Sequence, residues 1–251
     1  MQRLLFVLWI GPLVLAAGCS GEGAGCLTPL GEVTTHTVAL DGGFEAAQVL
    51  DRIDVEWAPK EAGEAPRLIW TAGEGVLAGM SAEVSDGTLL IQDLNTCRWV
   101  RPLHAVPKVR IEGVDCRQWL LEGQGQFTML DTLREGDLRV TGDEMSGSVY
   151  LLFDADTLQV RMPNGIGHVD VQGRARRLRA FRSGFGDLNA RQLETRQAMV
   201  HHRGLGEVHI NATDYLYLEV AGAGNTYLHG TTEDSNIQIL DGATGSVMDV
   251  P

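Results

Sequence analysis

Four residues stand at one recurring place in the chain. His168, Asp187, Glu207 and Asn225 each follow the second glycine of a Gly-x-Gly pair. Two positions further on come Asp170, Asn189, His209 and Tyr227. Residues two apart on a strand share a face, so stacked segments would set these eight in two adjacent polar columns. His168, Asp187, Glu207 and His209 would then lie near one another. Imidazole beside carboxylate can do acid–base work or hold a metal, and such ladders can carry polysaccharide lyase or hydrolase sites. The plainer reading is a solvated polar face, and a third is ligand contact without chemistry. His201 and His202 cannot chelate one ion together, because strand neighbours point to opposite faces. The chain has no CxxC or Cys/His spacing for zinc, no Gly-x-Ser-x-Gly and no His-Glu-x-x-His. No catalytic residue, metal or cofactor is therefore expected.

Charge is the second anomaly. Nine arginines lie between Arg161 and Arg203, opposed only by Asp170, Asp187 and Glu194, inside a protein of net charge −13. From Gly204 onward there are seven acidic residues and no Lys or Arg. Arg174, Arg176, Arg177, Arg179 and Arg182 form the dense centre of this basic belt. Arg177 and Arg179 flank Leu178, so if Leu178 points inward both point out. Guanidinium suits bidentate recognition of phosphate, sulfate or carboxylate. The belt could equally pair with acidic residues of its own neighbouring coils, or of another copy.

The elements that must position these groups follow a rhythm. The apolar position after each Gly-rich turn, held by Thr at 226, falls at 127, 149, 169, 188, 208, 226 and 247, in steps of 18 to 22. A short alternating strand precedes each turn, as in Leu138-Arg-Val140, Leu158-Gln-Val160 and Leu178-Arg-Ala180. Two columns with one period of about 20 residues predict an all-β, parallel β-solenoid, right-handed and β-helix-like, over 108–251. Leu158 and Val160 should face in and Gln159 out. The turn glycines should supply positive φ. A leucine-rich repeat has a similar period, but its LxxLxL pattern and Asn ladder are missing. Residues 33–107 are less regular and read as a β cap, with strands at 33–40, 49–57, 67–71 and 88–93, a hairpin turn at Asp86-Gly87, and a helical turn within 76–82. The whole of 33–251 reads as one continuous domain.

Composition agrees: 31 glycines in 251 residues with 6% aromatics describe a turn-rich β chain. The acidic balance argues against nucleic-acid binding, which needs a basic footprint. The first 18 residues carry Arg3 and then an apolar run from Leu4 to Ala17, too short to span a bilayer and typical of a signal peptide. Leu15-Ala-Ala-Gly-Cys19 resembles the bacterial lipobox. That resemblance implies lipidation of Cys19 (palmitate among the acyl chains), membrane attachment through a tether over 19–32, and residence in the cell envelope at the outer membrane. In an oxidising compartment Cys97 and Cys116 would close a 20-residue loop, with Cys26 free.

Ile53-Asp-Val55, Glu83-Val-Ser-Asp-Gly-Thr-Leu-Leu-Ile91, Asn95-Thr-Cys-Arg-Trp-Val100 and the repeated Ser183-Gly-Phe-Gly-Asp-Leu188 and Ala221-Gly-Ala-Gly-Asn-Thr226 are similar to the head GIN domain of autotransporter-adhesin-like proteins. The resemblance spans 33–251. It implies a lipid-anchored, non-enzymatic β-solenoid with no catalytic residues to carry over. Adhesion or surface assembly is the expected role, with an anionic glycan, lipid head group or protein as partner. A polysaccharide-active β-helix enzyme and a self-stacking envelope scaffold are the alternatives.

Overall fold

Alternation of apolar and polar residues closes this chain into a stack of coils rather than a flat sheet. A computed structural model describes residues 29–40, 43–59, 65–96 and 105–250. The expected signal peptide, Cys19 and Cys97 lie outside these residues. The elements are β1 (Val33–Ala39), β2 (Ala46–Val49), β3 (Asp54–Pro59), β4 (Arg67–Gly73), α1 (Glu74–Leu77), β5 (Met80–Ser85), β6 (Thr88–Asp93), β7 (Lys108–Val114), β8 (Gln118–Glu122), β9 (Phe127–Met129) and β10 (Asp137–Asp143). They continue with β11 (Ser148–Met162), β12 (His168–Arg182), β13 (Leu188–His202), β14 (Val208–Val220), β15 (Thr226–His229), β16 (Asp234–Ile239) and β17 (Val247–Val250).

Their pairings make a parallel β-solenoid of about seven turns with two ladders. The first runs from β7 through β3 and β9 to the leading halves of β11 to β14, then β15 and β17. The second runs from β6 through β2, β8 and β10 to the trailing halves of β11 to β14, then β16. The period seen in sequence is the pairing register: Ser148 lies opposite His168, Val169 opposite Leu188, and Asn189 opposite His209. Leu158, Leu178, Ala198 and Leu216 stack inward and are almost wholly buried, and Gln159 stays partly exposed. Each such leucine contributes about 1.5–3 kcal/mol by leaving water.

At the N-terminal end Trp57, Trp119 and Phe127 fill the core, with ring centroids 4.8–6.4 Å apart. Here the antiparallel strands β1, β4 and β5 close the stack. The cap and the coils are interleaved, with no break at 107/108. β2 and β3 sit inside the parallel ladders, and β7 pairs with both β3 and β4. The strand expected over 49–57 is divided at Asp51, whose φ of 70° carries the chain around a corner. Asp86 and Gly87, both at positive φ, make the hairpin turn between β5 and β6. The helical turn is Glu74–Leu77, and β5 begins at Met80.

The Gly-x-Gly corner uses the expected positive φ at only some of its turns. Gly165 and Gly184 do use positive φ, but Gly204 and Gly222 do not. What the column shares is close approach between coils: a Cβ on Gly186, Gly206 or Gly224 would collide with the carbonyl oxygen of the glycine one coil back. The middle residues Ile166, Phe185 and Leu205 point to solvent, each more than half exposed.

Candidate functional site

Stacking brings the four ladder residues together on the first face. His168 Nδ1 lies 3.3 Å from Asp187 Oδ2 and accepts the Asp187 backbone N–H. Asp187 Oδ1 accepts the Glu207 N–H at 2.7 Å. Glu207 Oε2 is 3.4 Å from His209 Nε2, and its Oε1 accepts the Tyr227 hydroxyl at 3.2 Å. The His209 ring stacks on Tyr227 at 4.6 Å, and its Nδ1 meets His229 Nε2 at 3.0 Å. Those two nitrogens share one proton, so at least one of the rings is neutral. Burial, His209 and Arg191 all hold the His229 imidazole below its usual range. In the neighbouring column Asn189 donates to Asp170 at 2.7 Å.

The two columns border a concavity of about 400 Å³. Its wall includes His168, Asp187 and His209, together with Asp170, Asn189, Arg191 and Tyr150. Among the described residues Arg191 has no ion pair. The hollow thus presents one uncommitted guanidinium among hydroxyl, amide, imidazole and carboxylate groups. That set can hydrogen-bond a hydroxyl-rich ligand and meet a carboxylate or sulfate on it. No group of three or more His, Cys, Asp or Glu among the described residues is arranged to hold a metal ion.

The arginine belt is mostly spoken for. Arg174 pairs with Asp154 at 2.8 Å, and Arg176 and Arg177 both pair with Asp156. Each carboxylate lies about one coil earlier, on the edge opposite the glycine corner. Arg176, hydrogen-bonded to Asp156, holds that carboxyl below its usual range. Register continues the column to Glu194, so charge alternates along this edge. Arg179 remains exposed.

Arg182 corrects the expectation of an exposed contact. It is 1% exposed, and its Nε and Nη2 donate to the carbonyls of Gly186 and Gly167. Burial lowers its pKa to about 10, and Nη1 has no partner. One coil on, His202 fills the same place. Its ring bridges Gly206 O at 3.0 Å and the Thr226 hydroxyl at 2.9 Å. Cys116 is a free, buried thiol pushed up to about 12, chiefly by burial, while Cys97 lies outside the described residues.

Sequence reasoning missed three things. Asp154 and Asp156 were legible as partners, since subtracting one period of 20 from Arg174 and Arg176 gives their numbers. Arg191 was counted in the belt, but it belongs with the polar columns, two residues after Asn189. The inward turn of Arg182 had one signal: it stands in the register of Met162, which reads as core.

A family model described as "putative auto-transporter adhesin, head GIN domain" matches residues 43–232. The chain belongs to this family. Solved structures share the fold of this head GIN domain. One from Bacteroides fragilis, described as a "putative adhesin", is 18% identical, covers 87% of this chain and 97% of its own, and has a TM-score of 0.78. Another "putative adhesin", from Parabacteroides merdae, is 16% identical, with 88% and 97% covered and a TM-score of 0.60. A third, from Parabacteroides distasonis, is described as a "putative lipid binding protein"; it is 19% identical, with 88% and 98% covered and a TM-score of 0.60. Among curated proteins no match was found. Family membership supports an adhesin-like role at the cell surface or envelope.

Proposed function

We propose that this head GIN protein is a non-enzymatic, lipid-anchored adhesin-like protein of the bacterial envelope. Cys19 carries the anchor, and the polar concavity on the first face contacts a hydroxyl-rich, acidic ligand such as an anionic glycan. One observation carries the reading: Arg191, without an ion pair of its own among the described residues, stands in a hollow walled by two hydrogen-bonded polar columns. The exposed belt arginines are a weaker choice, because Asp154 and Asp156 already pair with three of them.

The test is binding of a soluble 20–251 fragment to an array of neutral and anionic glycans, with cleavage monitored in parallel. Arg191→Ser should weaken salt-sensitive binding about tenfold or more, as loss of a charge-assisted hydrogen bond of about 1.5–3 kcal/mol would require. Arg176→Ser should leave it unchanged. Binding lost with Arg176 but not with Arg191 would move the contact to the belt, and turnover would overturn the non-enzymatic reading.

A further inference from the structure

The two ends of the solenoid differ. At the N-terminal end β1 and β5 fold back antiparallel, and Leu89 and Ile91 of the second ladder stay fully covered. At the C-terminal end nothing covers the last coil among the described residues. β16 pairs on one side only, with β14, and β17 on one side only, with β15. Ile237 lies opposite Leu218 and Ile239 opposite Val220. Leu218 and Val220 are completely buried, whereas Ile237 and Ile239 are 40% and 56% exposed. The exposed pair therefore continues the core column and is left uncovered by the described residues.

The backbone is equally open. Leu240 N–H donates to Val220 O, back into the stack, at 2.8 Å. Donors alternate sides along a strand, so the N–H groups of Ile237 and Ile239 point outward from the free edge. A coil end that is apolar inside and unpaired outside is a template for one more strand.

Charge selects the occupant. Glu233 and Asp234 stand at the start of β16, Asp241 follows its end and Asp249 lies in β17, and no Lys or Arg occurs after Arg203. Two copies meeting end to end would bring eight carboxylates together, which opposes that pairing. We infer that the C-terminal edge is a strand-addition site for an extended partner segment in which apolar residues alternate with Lys or Arg. Its apolar residues cover Ile237 and Ile239, its backbone pairs with β16, and its cations meet the flanking carboxylates. The site is separate from the polar concavity and does not depend on it.

The experiment uses the full chain and a fluorescein-labelled Lys-Ile-Arg-Val-Lys-Ile-Arg peptide, with a Glu-for-cation counterpart and a scrambled sequence as controls. The alternating basic peptide should bind saturably, at least tenfold tighter than either control, and should slow hydrogen exchange at the Ile237 and Ile239 amides. Ile239→Pro removes an edge donor without touching the bonds to β14, and should weaken binding at least tenfold. A folded Asp234→Lys/Asp241→Lys variant should do the same and gain affinity for the Glu peptide. Equal binding of the scrambled peptide, or binding without slowed exchange, would reduce the site to unspecific charge attraction and overturn the proposal. A dimer whose edge amides are protected without peptide would overturn it in favour of a second copy.

Discussion

Two residues at one register show how a polar side chain can serve inside the stack. Arg182 and His202 both turn into the stack and hold the carbonyls of the glycine corner. Arg182→Ala should destabilise the protein by about 3 kcal/mol in denaturant unfolding, through a cavity and two orphaned acceptors. Arg176→Ala, on the exposed edge, should move the midpoint little. Burial, outweighing the bond to Gly206, holds the His202 imidazole below its usual range and so neutral, and Arg182 acts in the same direction. An imidazole in the unfolded chain titrates near 6.5, so below that pH the unfolded state takes up a proton the folded state refuses. Stability should therefore fall as pH drops from about 7 towards 5. His202→Gln, which keeps a donor and an acceptor in place, should flatten that part of the curve. The register of Met162 signalled the inward turn of Arg182, but the carbonyls that Arg182 and His202 hold were not legible in the sequence. His201-His202 shows that the two rings face opposite ways, but only the direction of the core says which is inside.

At the scale of the element, the glycine corner sets the spacing of the coils. Gly206→Ala drives a methyl group into Gly186 O, and stability should drop by about 3 kcal/mol or more in thermal or denaturant unfolding. Gly43, where an added methyl would meet nothing within 4 Å and φ is not positive, is the control: Gly43→Ala should be neutral or stabilising by up to about 1 kcal/mol. The coils were readable because two columns repeat: the apolar residue after each turn and the alternating pair before it. The N-terminal strands were harder. Val49 and Val55 look like one strand, since the apolar alternation resumes at Ile53 after a single break at Asp51. Only the fold shows Asp51 and Ile53 taking the place of a corner beneath Gly123 and Gly125. The polar ladder was legible in outline, because its spacing is the coil period. The hollow beside it was not, because spacing along the chain does not say which side chains, Tyr150 and Arg191 among them, line one concavity.

For the whole molecule, the stack predicts graded protection. The long strands β11 to β13 each have a paired neighbour on both sides, whereas β16 and β17 have one. Amide hydrogen exchange should be slowest at 158–160, 178–180 and 198–200 and fastest at 234–250. Uniform protection to the last coil would contradict an open end. The charge map follows the same axis: alternating Asp154, Arg174 and Glu194 in the middle, and acid alone towards the C-terminus.

The interleaving of β2 and β3 has a consequence for how the chain is made. Both are early in sequence, yet β2 lies between β6 and β8, and β3 between β7 and β9. A polypeptide delivered N-terminus first cannot pair β2 and β3 on both sides until residue 129 has emerged. Until then Trp57 lacks its contacts with Trp119 and Phe127, and the nascent segment needs shelter from aggregation. Past that point each further 20 residues settle on a finished surface, and the molecule lengthens one turn at a time.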